Sequence, residues 1–188
     1  MKTKIIAFFL ISFLLEMNVT FGQGFEAPAP GKSVVYFVPE KEKGTASYEY
    51  FHNDKYIGVF KKKNYMRYEC DPGKNLFWIS GENKEFISAD LQEGGTYIII
   101  VCMEMGWASV RVSAYPLGAK STDELERVKK LVNSKPPVIT PDEKVQEMNV
   151  KLADFIKEKL TLYETEWKSV KNFPHIDPEM AIPVELLK

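Results

Sequence analysis

Two histidines, two cysteines and a scatter of carboxylates are the residues of this 188-residue chain whose types could do chemistry. Their spacing supports little of it. His52 ends a run of alternating aromatics beside Asn53 and Asp54, and His175 sits among prolines. A Ser-His-Asp relay or a metal site built on either needs partners from distant sequence, and both read as surface residues. Glu82, Glu85, Asp90 and Glu93 make a glycosidase pair or a Ca²⁺ site only if folding converges them. Solvated loop carboxylates are the plainer reading. Cys70 and Cys102 form no CxxC pair and have no neighbouring histidine, so a thiol catalyst is disfavoured. HExxH, GxSxG, P-loop, EF-hand and GxGxxG patterns are absent, and Gly94-Gly95 suits a turn better than a phosphate cradle. No catalytic residue, metal ligand or cofactor is expected.

Aromatic residues offer binding chemistry instead. Tyr48, Tyr50, Tyr56, Tyr65, Tyr68 and Trp78 crowd one half of the chain, with Trp107 and Trp167 further along. Rings exposed on a sheet stack on sugars or anchor a protein partner, which makes Tyr48, Tyr50, Trp78, Trp107 and Trp167 the candidate contacts; core packing is the plainer role. Lys61-Lys62-Lys63 is a local positive patch that reads as a solvated turn guarding strand edges.

The elements that must position these residues follow from periodicity. Residues 32–38, 46–52, 56–60, 65–70, 76–80, 84–91, 96–103 and 107–115 read as strands. They are separated by turn chemistry at Asn53-Asp54, Asp71-Pro72-Gly73 and Glu93-Gly94-Gly95. Seven to eight short strands predict a mainly β fold, an immunoglobulin-like or transthyretin-like sandwich. A two-residue turn at Met105-Gly106 sets Val101 opposite Val110 and places Tyr97, Ile99, Val101 and Met103 on one apolar face. The opposite face, with Ile98, Ile100, Cys102 and Trp107, needs a cover.

After Gly118 the period becomes helical. Ser121 and Glu124 have the form of a capping box before Leu125, Val128, Leu131 and Val132. Lys135-Pro136-Pro137 ends that helix, and Thr140-Pro141 opens a longer one, with Thr140 as N-cap. Its stripe runs Val145, Met148, Leu152, Phe155, Ile156, Leu160, Tyr163, Trp167 and Val170. The long helix is expected either to cover the face around Ile100 and Trp107 or to protrude toward a partner. The tail from residue 172 is apolar and Pro-rich, and packs along the domain or docks on a partner's sheet edge.

Composition bounds the class. With 45% hydrophobic and 27% charged residues the chain is neither disordered nor fibrous. Lys2 and Lys4 before the apolar residues 5–15, then Thr20 and Gly22, have the layout of a cleaved secretory signal over residues 1–22. The apolar run is too short to span a bilayer, for which about 20 residues are needed, and no second such run follows. Removing Lys2, Lys4 and Glu16 takes the net charge from −1 to −2, which disfavours nucleic acid. The organisation reads as signal 1–22, linker 23–30, β-sandwich 31–118, helical extension 119–171 and tail 172–188. Export, to the periplasm or outside the cell, permits a disulfide between Cys70 and Cys102, worth roughly 3 to 4 kcal/mol if geometry allows. Two separate buried thiols are the alternative.

GKSVVYFV, NDKYIGVF, CDPGKNLFWIS and LQEGGTYIII resemble, over about residues 31–104, an exported bacterial family known as domain of unknown function number 2846. The resemblance implies an envelope or secreted β-module, and it brings no catalytic residue. Members often carry an amino-terminal lipid-attachment cysteine, which this chain lacks. The expectation is an exported, non-enzymatic module that contacts an envelope protein or serves structural assembly, with glycan binding through exposed rings as the alternative.

Overall fold

The computed structural model describes residues 24–42, 47–61, 64–105 and 110–188. The expected signal segment, Lys62, Lys63 and Trp107 lie outside the described residues. Eight strands precede the helices: β1 (Ser33–Pro39), β2 (Ser47–His52), β3 (Lys55–Lys61), β4 (Met66–Cys70), β5 (Gly73–Ser80), β6 (Lys84–Leu91), β7 (Thr96–Met105) and β8 (Val110–Pro116). Then come α1 (Thr122–Ser134), α2 (Asp142–Lys151) and α3 (Ala153–Leu162), which runs on through a π-helical turn at Tyr163–Trp167 and a last α turn at Lys168–Val170. A ninth strand, β9 (His175–Ile176), lies in the Pro-rich tail. The chain is mainly β, with two mixed sheets ordered β4-β1-β7-β8 and β3-β2-β5-β6-β9. The β1–β7 and β6–β9 pairs are parallel and the rest antiparallel.

Each side-chain period has a burial partner. Val35, Phe37, Phe77, Ile79, Ile99 and Val112 meet between the two sheets. Every residue of β1 is buried because the other side of its sheet is covered too, by α1. Val34, Tyr36, Ile98 and Ile100 pack there against Leu125, Val128, Leu131 and Val132. Strands covered on both faces read as continuous apolar runs, as VVYFV and YIIIV do. The outer face of the second sheet presents Phe51, Trp78 and Phe86 to Phe155, Ile156, Tyr163 and Trp167. The protein is therefore four layers, helix, sheet, sheet, helix.

This layering corrects the expected cover. The face of Ile98 and Ile100 lies under the short helix α1, while the long helix covers the other sheet and does not protrude. The tail packs on its own chain: Ile176 is fully buried in the inter-sheet core, and the Ile182 N–H donates to Thr96 O at 2.8 Å. In the β7–β8 pair Val101 faces Ala114, Met103 faces Val112 and Met105 faces Val110. The expected pairing of Val101 with Val110 is thus shifted by four residues, an even number, so the apolar face keeps its members; the expected Met105-Gly106 turn lies in part outside the described residues. At the helix starts, Ser121 and Pro141 are the N-cap residues and neither makes a side-chain cap bond. The Thr140 hydroxyl instead accepts the Val59 N–H at 3.2 Å.

Sheet edges are closed by side chains. Asn83 pairs with β8 as a strand would, accepting the Val112 N–H and donating to Val112 O, both at 2.7 Å. Asn149 of α2 does the same to β3: Oδ1 accepts the Tyr56 N–H at 2.8 Å and Nδ2 donates to Tyr56 O at 2.9 Å. Unpaired edges template aggregation, and these amides occupy them.

Candidate functional site

The rings proposed for ligand contact are taken up by packing. Tyr48, Tyr50 and Trp78 are 6%, 1% and 0% exposed. Trp78 stacks on Phe51 at 3.7 Å and on Phe86 at 5.5 Å, and Tyr50 stacks on Phe60 at 4.5 Å. Trp167 is half-buried against Phe86. Tyr56 and Tyr65 are buried as well. A sugar-stacking face built on Tyr48, Tyr50 and Trp78 is therefore lost, because alternation directs these rings into the two cores.

No disulfide joins Cys70, which is buried, and Cys102, which is half-buried; of the two readings, a bridge or two separate thiols, the structure has the second. Cys70 pairs with Ser33 at one end of β1 and faces the inter-sheet core, whereas Cys102 lies six residues beyond Thr96 on β7 and faces α1. Strand rise places them about 20 Å apart along the sheet, beyond the roughly 7 Å limit for Cα atoms of a disulfide. Burial pushes the Cys70 thiol up to about 12, reinforced by the nearby Asp71 carboxylate.

His52 is held by a closed network. Asn75 Nδ2 donates to Asp71 O and Gly73 O, which leaves Oδ1 to accept from His52 Nε2 at 2.6 Å. Nδ1 then accepts from the Tyr68 hydroxyl at 3.0 Å, and the ring stacks on Phe77 at 4.9 Å. Burial lowers the imidazole pKa, a shift the Asn75 bond partly offsets. Burial likewise pushes the Tyr68 phenol up to about 12. The neutral ring has both nitrogens satisfied, which suits a structural pin.

Folding gives the second histidine a serine and an aspartate. Ser88 Oγ lies 2.8 Å from His175 Nδ1, and His175 Nε2 lies 3.5 Å from Asp177 Oδ1. An acyl-transfer site also needs oxyanion donors. The Ser88 N–H is already committed to Pro174 O at 3.2 Å, and Ser88 sits in the interior of a regular strand, not on a sharp turn. Ser88 and His175 are directly opposed in the β6–β9 pair, so their bond fastens the tail to the sheet. Of the scattered acids, Glu82 accepts the Val110 N–H at 2.9 Å. Among the described residues no three His, Cys, Asp or Glu side chains gather as metal ligands.

The feature that folding adds is a groove of about 830 Å³ between the β2–β3 turn and the outer flank of α2 and α3. Asp54 and Lys55 form one wall, and Val150, Ala153, Ile156 and Leu160 form the other. Val150 is 81% exposed. The helix breaks at Leu152, φ −98° and ψ 6°, between α2 and α3. The β2–β3 turn, with Asn53 in the left-handed region at φ 51°, is too short to roof this flank. The sequence signal was faint: Val150 and Ala153 are small apolar residues off the main stripe of the helix. The groove can take apolar side chains, with Lys55 and Lys157 at its rim.

Among the described residues no helix is long and apolar enough to cross a membrane. Comparison with protein-family models, with curated proteins and with solved structures found no match to this chain.

Proposed function

We propose that the chain is an exported, non-enzymatic β-sandwich module of the cell envelope that engages another protein, and that it does so through the groove on α2 and α3. The observation that carries this reading is the apolar flank at Val150, Ala153 and Leu160, left open beside the β2–β3 turn while most large rings among the described residues are buried. Exposed apolar patches with a polar rim mark interaction sites. The histidines support the non-enzymatic part, because His52 and His175 are each engaged in fastening strands. Export rests on the amino-terminal pattern of residues 1–22, and the resemblance to family number 2846 belongs to the same reading.

Of the two sandwich types, the transthyretin-like one is favoured by strand order. In immunoglobulin sandwiches the first two strands are neighbours in one sheet, whereas here β1 and β2 lie in different sheets and β1 runs parallel to β7.

The test is mild crosslinking in the native envelope, with mass spectrometry of attached proteins, for the native chain and for Val150→Glu. Val150 is solvent-facing, so the substitution leaves the fold within about 0.5 kcal/mol. One recurrent protein lost in Val150→Glu supports the reading; equal recovery of every attached protein refutes it.

A further inference from the structure

Another pocket, of about 290 Å³, opens where the last turns of the long helix cross the second sheet, and it shares no lining residue with the groove. The sheet contributes Lys74, Leu76 and Ser88, with Leu76 and Ser88 directly opposed in the β5–β6 pair. The β2–β3 turn contributes Asn53, and the helix Tyr163, Glu164 and Lys168. These helix residues sit in or at the end of the π-helical turn, which is closed by a bond from the Lys168 N–H to Tyr163 O. In an α-helix residues five apart point about 140° apart round the axis, whereas the wider turn brings them into line. Lys168 Nζ accordingly lies 5.7 Å from the centre of the Tyr163 ring, with Glu164 Oε2 3.1 Å away. Single π turns inside α-helices recur at functional sites.

The fold leaves donors over around this pocket. Tyr163 is 4% exposed, yet its hydroxyl makes no hydrogen bond among the described residues. A buried phenol ordinarily has a partner. Burial pushes this phenol up, so it stays a donor at neutral pH. Asn53 Oδ1 accepts the Leu76 N–H at 2.9 Å, which fixes the amide. Its Nδ2 lies 3.2 Å from His52 Nε2, but that nitrogen already donates to Asn75, so Nδ2 has no acceptor there. The Lys74 ammonium makes no ion pair among the described residues. Against these donors stands one carboxylate, Glu164, already paired with Lys168.

We propose that this pocket binds a small hydroxylated anion, a sugar acid or a sugar phosphate, with its oxyanion between Lys74 and Lys168 and its other oxygens on Tyr163 and Asn53. Unmet donors call for an acceptor-rich ligand, and two ammonium groups against one carboxylate call for negative charge. At about 30 Å³ per water the space equals roughly ten waters, enough for a sugar ring and far more than a bare oxyanion fills. Leu76 supplies apolar lining for the carbon frame. The site goes beyond the protein-docking reading and does not depend on it.

The experiment is isothermal titration of the full chain with D-glucuronate, glucose-6-phosphate and neutral D-glucose. It uses the native protein, Tyr163→Phe, Lys74→Gln and, as a charge-matched control, Lys144→Gln, whose lysine pairs with Glu147 on α2. At least one anion should bind saturably, with glucose about tenfold weaker or more, and the tighter anion identifies the oxyanion as carboxylate or phosphate. Tyr163→Phe keeps the ring on Phe86 and removes no bond within the fold, so its Tm should match the native value while affinity falls about tenfold. Lys74→Gln should weaken binding and flatten its salt dependence, and Lys144→Gln should do neither. No saturable binding of either anion, equal binding of glucose, or native affinity in both Tyr163→Phe and Lys74→Gln overturns the proposal. The groove reading stands or falls separately, on Val150→Glu.

Discussion

Tyr163→Ala tests whether the carboxyl-terminal helix belongs to the fold. The ring is 4% exposed, stacks on Phe86 at 4.4 Å and 20°, and meets Phe173 at 5.6 Å. Removing a buried aromatic ring costs about 3 to 5 kcal/mol from lost transfer and an unfilled cavity. For a chain of this size each kcal/mol lowers Tm by about 2 to 4 °C, so a fall near 10 °C is expected. Phe86 also stacks on Trp78 of β5 at 5.5 Å, which links the helix directly to the second sheet. The assay is urea unfolding followed by Trp78 fluorescence, in a background with Trp107 and Trp167 changed to Phe, and by far-ultraviolet circular dichroism. Both signals should move together to a lower midpoint. An unchanged Trp78 midpoint, with helical signal lost in a separate transition, would show a helix that is an appendage and refute the four-layer account.

Three further outcomes follow from the same contacts. His52 has a lowered pKa because it is buried, so the unfolded chain binds the proton first: stability is full above about 6.5 and declines as pH falls toward the folded pKa, by at most about 1.4 kcal/mol per pH unit. His52→Asn should lose that component of the slope in denaturant titrations between pH 5 and 8, and an unaltered slope counts against the network. Non-reducing mass analysis of the denatured protein should find two alkylatable thiols, with Cys70 protected in the native state; a mass two protons lower would establish the bridge that the geometry excludes. Asn83→Ala should cost about 2 kcal/mol by unpairing Val112 and promote concentration-dependent association visible by sedimentation, whereas a neutral, monomeric variant would remove Asn83 as an edge guard.

Much of the fold was legible because period and turn chemistry agree. All eight strands before Gly118 lie within three residues of their expected bounds at each end, and the stripe of α1 is buried at Leu125, Val128, Leu131 and Val132 as its spacing requires. The stripe of the long helix was legible from Val145 to Trp167 but not at Val170, which is exposed at the end of the helix, and its target was not legible, since periodicity says that a face is buried and not which sheet it meets. Two residues of strand between Pro174 and Pro178 carry no pattern of their own, so β9 was hidden until β6 supplied its partner. The cysteine question turned on parity: Cys70 and Cys102 each sit on a strand, and only the pairing of β4, β1 and β7 reveals that they face opposite layers. The aromatic residues looked like a binding face because sequence alone does not count layers; with helices on both sides, the outward face of a sheet is interior. The candidate groove depends on Val150 and Ala153 meeting the Asp54-Lys55 turn, a long-range contact no local pattern encodes.

Val150 and Val170 are almost equally exposed, at 81% and 76%, yet only Val150 lines the groove. That contrast makes photo-crosslinking from each position in the native envelope the most direct test of the groove as a docking surface. A benzophenone side chain at position 150 should give one discrete protein adduct that position 170 does not. Adducts of the same kind and yield from both positions, or none from position 150, would contradict the assignment of the groove as the contact surface.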